Sequence, residues 1–396
     1  MNGLNESPWH VFRIFLRLGL TSFGGPIAHL GYFRHEFVVR RRWLNEQAYA
    51  DLVGLCQFLP GPASSQVGFA LGLSRRGLST GIAAWLGFTL PSALLLFLFA
   101  GMAASFTGLY AVAAIHGLKI VAVAVVAQAL WGMAQSLTPD LPRIALAALA
   151  AIIVVFLVGA FGQVLAISTG ALAGLLINRN YNTATAASPL CVTISRRLAI
   201  ASLALFALLL TAGPLLSGTS HGIAVFNAFY RSGGLVFGGG HVVLPLLSDA
   251  VVRPGWLSPE SFLAGYGAAQ AVPGPLFTIS AYMGALLNAP PNGAWGAILA
   301  LIAIFLPGML LLLGALPFWD GVRTRPRLQA AMRGINAAVV GILAAALYSP
   351  LWTSAIADWR DVAIAVAGFL LLVFAKLPSW MIVLTTVAAA ILIAAA

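Results

Sequence analysis

The sequence predicts an all-α integral membrane protein of two homologous halves with inverted topology, carrying re-entrant or broken helices at glycine-rich and Pro-Gly-Pro motifs. Three observations predict it. The first is composition: 61% of the 396 residues are hydrophobic, 8% are charged, and the mean hydropathy is +0.97. That leaves too little polar surface to clothe a water-soluble globule. The second is a repeat. Phe23-Gly24-Gly25-Pro26 and Gln57-Phe58-Leu59-Pro60-Gly61-Pro62 return as Phe237-Gly238-Gly239-Gly240 and Gln270-Ala271-Val272-Pro273-Gly274-Pro275, and self-similarity at a fixed offset decides architecture. The correspondence continues through Arg17/Arg231, Trp43/Trp256, Leu90-Pro91/Leu306-Pro307, Gly117/Gly334 and Arg143/Arg360. The third is the placement of positive charge, which flanks apolar runs and, under the positive-inside bias, turns one half upside down relative to the other.

Taken in order, the repeats predict an N-terminal copy over 1–178, a linker with one extra span over 179–225 and an inverted C-terminal copy over 226–396. The first apolar stretch, Phe12–Phe37, is interrupted at Gly24-Gly25-Pro26. Arg13 and Arg17 lie within it and no small-residue cleavage site follows, so it is read as retained rather than as a signal peptide. The next stretch, Ala48–Leu73, is broken at Pro60-Gly61-Pro62, which removes two N–H donors from the ladder. Gln47 to Leu59 makes only about 20 Å of helix, against a core of about 30 Å. Both stretches therefore read as hairpins that enter the membrane and return. Charge supports this: re-entry keeps Arg34, Arg40–Arg42 and Arg75-Arg76 on the cytoplasmic side. Counting the hairpins as crossings also inverts the halves, with about thirteen segments in all, but puts Arg40–Arg42 outside.

Full spans are then expected at Leu78–Gly101, Leu109–Leu137, Arg143–Phe161 and Val164–Ile177, followed by a polar linker from Arg179 to Arg197 and one extra span, Leu198–Leu216. Four spans plus one deliver the second half to the opposite face. The counterpart of the Arg34–Arg42 segment, Ser248 to Pro254, is nearly neutral, as an external loop should be. The loop after Trp295–Leu316 is basic again at Arg323, Arg325, Arg327 and Arg333, and only Arg253 and Arg360 fall on the wrong side. This places the protein in the cell (inner) membrane with a cytoplasmic N-terminus and an external C-terminus.

The net charge of +11 is thus read as topology, with the lipid bilayer as partner and no nucleic acid, because the Arg residues form no patch interleaved with aromatics. Cys56 and Cys191 are too few and too far apart for a disulfide framework or a zinc site, and read as small apolar residues. No metal site or cofactor is expected. The zinc-protease, nucleophile-elbow and P-loop motifs of common enzymes are missing, which favours a transporter over a membrane-embedded enzyme or a scaffold. Oligomeric state, a homo-oligomer included, is left open.

Four helix N-termini are expected in mid-membrane: after Gly24-Gly25 at Pro26, after Gly61 at Pro62 with Ser64 and Ser65, near Gly238-Gly239-Gly240-His241, and after Gly274 at Pro275 with Thr278. Each presents free N–H groups and about half a positive charge. Proline suits the first turn because its missing N–H has no intrahelical partner there. If the four ends converge they sum to about two charges, which suits a divalent oxyanion. The competing reading is that the glycines only permit close helix packing and the prolines only kink spans. Lys119, deep in Leu109–Leu137, is the candidate cation of the site, and Asn336 holds the matching place. Arg17 and Arg231 precede the glycine breaks and would guide an anion or anchor to headgroups. His29, His241, Gln57 and Gln270 are candidate hydrogen-bond donors, and Asp51 is the candidate for coupling to a proton or cation.

Phe23–Pro26, Gln57–Pro62, Gly117-Leu118-Lys119, Phe237–His241 and Gln270–Gly284 together resemble the chromate ion transporter family in its long form with two fused domains. The resemblance covers almost the whole chain. It implies transport of chromate, commonly as efflux that confers resistance, with sulfate as the tetrahedral analogue.

Overall fold

The computed structural model describes residues 6–103, 108–157, 160–177, 194–237, 240–322 and 325–395, and among them there are helices and no strands. The first half runs α1 Pro8–Thr21, α2 Gly25–Arg34 with a π-helical continuation His35–Arg40, α3 Glu46–Phe58, α4 Ala63–Arg76, α5 Leu78–Ala103, α6 Leu109–Leu137, α7 Leu141–Phe156 and α8 Ala160–Ile177. After α9, Arg196–Leu216, the series returns. It comprises α10 His221–Gly234, α11 Val243–Leu247 between a 3₁₀ turn Gly240–Val242 and a π-helical turn Ser248–Val252, α12 Pro259–Ala271, and α13 Ile279–Ala285 behind a 3₁₀ turn Leu276–Thr278. It continues with α14 Gly293–Ala315, the short α15 Trp319–Val322, α16 Pro326–Ala346, the short α17 Thr353–Ala355, α18 Trp359–Val373 and α19 Ser379–Ala395.

Equivalent helices start by equivalent local chemistry. Ser7 and Ser220 cap α1 and α10, Asn45 and Ser258 cap α3 and α12, and Asp140 and Asp358 cap α7 and α18, each accepting a first-turn amide. A cap of this kind contributes roughly 1 kcal/mol.

All four interrupted stretches fold back on themselves. Phe15 stacks on Phe37 with ring centroids 5.0 Å apart and meets Phe33 edge-on at 5.8 Å. In a continuous span Phe15 and Phe37 would lie about 33 Å apart at ~1.5 Å per residue. At the open ends of the next hairpin, Arg75 donates to the Trp43 carbonyl at 3.4 Å, with its guanidinium 4.7 Å over the Trp43 ring. In the second half Ser232 Oγ donates to Leu246 O at 3.3 Å, and Tyr282 OH, late in α13, donates to Ser261 O, early in α12, at 3.0 Å.

Among the described residues five helices are long and apolar enough to cross a membrane: Leu78–Met102, Leu109–Leu137, Arg196–Leu216, Gly293–Phe318 and Pro326–Ala355. Of the spans expected at Arg143–Phe161 and Val164–Ile177, the first is shorter and the second longer than the sequence suggested. α7 ends at Phe156 and α8 begins at Ala160, and the 16 residues of α7 reach only about 24 Å. Inversion survives this correction, because α7–α8 returns to its starting side at any depth. The pair α5–α6 also returns, and α9 adds the single crossing that turns the second half over.

The halves interlock rather than sit side by side. Within each half the first helix lies on the long fifth one, α1 on α5 and α10 on α14, with Gly19 against the Phe88 carbonyl and Gly233 against that of Ile304. Between halves the long helices that follow these exchange partners: α6 packs on α18 and α19, and α16 on α7 and α8. Gly117 meets Val387 and Ala390, while Gly334 meets Gly170 and Gly174, close backbone approaches of the kind that drive association in lipid. Outward-facing Phe156, Leu215 and Trp295, exposed by 81, 83 and 77%, belong to a surface that only lipid can satisfy. The protein is an all-α, multi-pass membrane protein with two homologous, inverted halves.

Candidate functional site

The four hairpin tips meet. A cavity of about 610 Å³ between the halves is lined by Gly24 and Pro26, by Gly61, Pro62, Ala63 and Ser64, by Gly240 and His241, and by Pro275, Leu276 and Phe277. Its side walls are Cys56 and Gln57 of α3, Gln128, Gly132, Met133 and Ser136 of α6, and Asn336 of α16. The cavity therefore runs from the tips along the last three turns of α6.

The tips are locked by a reciprocal pair of bonds. Gly61 N donates to Val236 O at 2.8 Å, and Gly274 N donates to Ser22 O at 2.9 Å, each the image of the other under the repeat. Glycine is required at both places: Gly61 has φ +124° and Gly274 φ +97°. A Cβ on Gly61 would stand 3.0 Å from Gly308 Cα, and one on Gly274 2.9 Å from Ser92 Oγ. Gln66 Nε2 braces the first tip, donating to Pro60 O at 3.1 Å and Gly308 O at 2.9 Å. His29, fully buried, joins Ser22 O at 3.2 Å to Ser64 Oγ at 3.4 Å, and so clasps the α1–α2 turn to α4. Nδ1 of His241 shares a 2.7 Å bond with the buried Tyr266 hydroxyl.

The structure sorts the residues singled out by sequence. In the wall stand Gly24, Pro26, Gln57, Gly61, Pro62, Ser64, Gly240, His241, Pro275 and Asn336. Behind it lie Gly25 at φ +75°, His29, Ser65, Gly274 and Thr278, whose Oγ1 donates to Pro275 O at 2.7 Å. Gly238 and Gly239 lie outside the described residues. Arg17 is on the exposed face of α1. Arg231 borders a separate cavity of about 280 Å³ with Asn227 and Asp249. Asp51, Gln270 and Lys119 are not in the wall either. Lys119 sits more than two turns before Gln128, so the expected cation is not part of this cavity.

Among the described residues the lining holds no Lys, Arg, Asp or Glu, and its polar groups are amides, hydroxyls, one imidazole and one thiol. The expected sum of about two helix-end charges also shrinks. The second half opens at its tips with 3₁₀ turns and the five-residue α11, and 3₁₀ turns align fewer peptide dipoles. Only α2 and α4 bring full α-helical ends, about half a charge each. Sequence reasoning missed Gln128, Gly132 and Ser136 and assigned Cys56 no role. The signal was present: Gln128, Gly132 and Ser136 recur every four residues, one polar and small stripe on an apolar helix.

The description "Chromate transporter" belongs to the family whose sequence model matches the chain twice, over residues 9–176 and 223–393. The chain is 28% identical over 344 residues to a chromate transport protein of Pseudomonas aeruginosa, covering 85% of this chain and 79% of that one. It is 27% identical over 378 residues to a chromate transport protein of Cupriavidus metallidurans, covering 93% and 89%. An uncharacterized transporter of Methanocaldococcus jannaschii is 24% identical over 376 residues, covering 93% and 90%. No solved structure matches the chain significantly. With both halves matched and the paired motifs of both halves gathered at one cavity, the chain belongs to the chromate transporter family.

Proposed function

We propose that the protein carries chromate, CrO₄²⁻, through the bilayer by way of this cavity, outward from the cytoplasm of a cell whose inner membrane holds it with the N-terminus inside and the C-terminus outside. In this reading residues 1–178 and 226–396 act as the two inverted transport repeats, and α9, within 179–225, sets their inversion. The observation that carries it is the convergence of four broken-helix tips on one neutral, donor-lined cavity between the halves. A tetrahedral oxyanion offers acceptors in every direction and no donor. Gln57, Gln128 and the amides that open α4 provide donors around a common space. If Tyr266 donates to Nδ1 of His241, neutral His241 keeps its proton on Nε2, a further donor.

A neutral wall suits transport better than a strongly charged one. Hydrogen bonds to a charged partner hold the ion by about 1.5–3 kcal/mol each, weakly enough for release. The test is chromate flux in liposomes that contain only this protein. Saturable flux, competed by sulfate, is the expected result. Sulfate flux without chromate flux would assign the cavity to the other oxyanion, and a folded protein that moves neither ion would overturn the reading.

A further inference from the structure

We propose that the protein forms a second ion-holding arrangement, lined by Lys119 and Gln270 and opening to the external side, which replaces the present cavity during each cycle; this rests on the transport reading above. The two halves carry the same parts in two different states. Under the repeat, Gly54 corresponds to Gly267, Gln57 to Gln270, Ala129 to Ala346 and Lys119 to Asn336. In the first half α3 is open at this level: a Cβ on Gly54 would meet nothing within 4 Å, and Gln57 is exposed in the cavity wall that Asn336 also lines. In the second half the same place is shut. α12 packs on α6 and α19, and Gly267 presses on the Leu118 backbone so closely that a Cβ would collide with the Leu118 carbonyl.

The shut side retains polar groups that closed packing leaves unused. Nε2 of Gln270 is buried with no acceptor, although its counterpart Gln57 faces open space. Lys119, next to the pinched Leu118, makes no ion pair with a carboxylate among the described residues. Both features are costly in a membrane interior. Both are explained if this seam opens. Two inverted copies that pack open in one half and shut in the other define a second state in which they exchange packings. In that state Gly54 presses on the α16 backbone as Gly267 now presses on α6, Lys119 enters the wall where Asn336 now stands, and Gln270 is uncovered. The two arrangements differ by one positive charge, so Lys119 sets the affinity of the external one alone.

The experiment uses a Cys56→Ala, Cys191→Ala background whose chromate flux is measured first, with Ala346→Cys added. Ala346 is now 4% exposed, while its counterpart Ala129 lines the cavity. An impermeant methanethiosulfonate reagent applied outside is expected to modify it. Adding Gly54→Leu, which fills the space that closure of the present cavity needs, should slow that modification at least tenfold. It should also reduce chromate flux at least tenfold while leaving chromate binding from the cytoplasmic side in place. In case Gly54→Leu folds poorly, a Gly54→Cys protein modified after folding with a bulky thiol reagent from the cytoplasmic side should lose flux to the same extent. Lys119→Gln should weaken chromate binding from the external side at least tenfold, and leave binding to the Gly54→Leu protein unchanged.

Normal flux in the Gly54 variants would overturn the exchange. So would external modification of Ala346→Cys that ignores Gly54→Leu, or no modification in a protein that transports. If the starting protein moves no chromate but Gly54→Leu still protects Ala346→Cys, the exchange stands and the chromate reading falls.

Discussion

At the scale of single residues, the proposed ion cavity is lined by neutral groups, and Gln57 is the one whose role can be isolated. It is exposed in the wall and makes no hydrogen bond within the protein among the described residues. Its loss should therefore cost the ion and not the fold. Gln57→Leu is expected to weaken chromate binding about 10- to 100-fold, the equivalent of one hydrogen bond to a charged group. Chromate titration of the purified protein checks this, with the melting temperature as control; unchanged affinity would take Gln57 out of the site. His29 shows the opposite behaviour. Both of its ring nitrogens are engaged, to Ser22 O and Ser64 Oγ, so it positions the tips. Sequence showed that His29, His241 and Gln57 cluster near the breaks. It could not separate them, because clasp and wall differ only in which way a side chain turns.

At the scale of elements, the hairpin tips carry the argument, and they were the most legible feature of the chain. Proline deletes a donor and glycine admits positive φ whatever surrounds them, so Pro60-Gly61-Pro62 and Pro273-Gly274-Pro275 declare a break without tertiary context. Which face of a long apolar helix meets water is a tertiary matter, and for that reason the lower half of α6 stayed hidden behind the conspicuous Lys119. The 3₁₀ openings at Gly240 and Leu276 were equally illegible, since nothing in Pro-Leu-Phe-Thr distinguishes them from an α-helical first turn. The tips also make a stability prediction. Gly61→Ala and Gly274→Ala each force a side chain into positive φ, about 1–2 kcal/mol, and crowd Gly308 or Ser92, about 1–3 kcal/mol more. Both proteins should melt below wild type. Gly54→Ala, in open space within α3, should melt at or slightly above it. Equal melting of all three would show that the reciprocal bonds to Val236 and Ser22 do not depend on these glycines.

At the scale of the whole molecule, inversion has two measurable consequences. Ser79→Cys, beside Arg76, and Glu260→Cys, beside Gly255, are both at exposed positions, and they should be labelled by an impermeant reagent from opposite faces, cytoplasmic and external respectively. Labelling of both from one face would end the inverted reading. The second consequence concerns driving force. Among the described residues no acidic or basic side chain lines the cavity, so a dianion that crosses carries its own two charges with it. Moving one charge through 100 mV is worth about 2.3 kcal/mol, and a dianion leaving an inside-negative cell gains about 4.6 kcal/mol. At about 1.4 kcal/mol per tenfold, that sustains an outward gradient on the order of a thousandfold without a coupling ion. Asp51, the acidic residue nearest the motifs in sequence, is not in the wall, so no carboxylate there is poised to load a proton alongside the ion. In liposomes loaded with chromate, a valinomycin-set potential, negative on the side matching the cytoplasm, should accelerate release at constant pH. Release that ignored the potential and required an opposing pH gradient or external sulfate would replace uniport with coupled exchange.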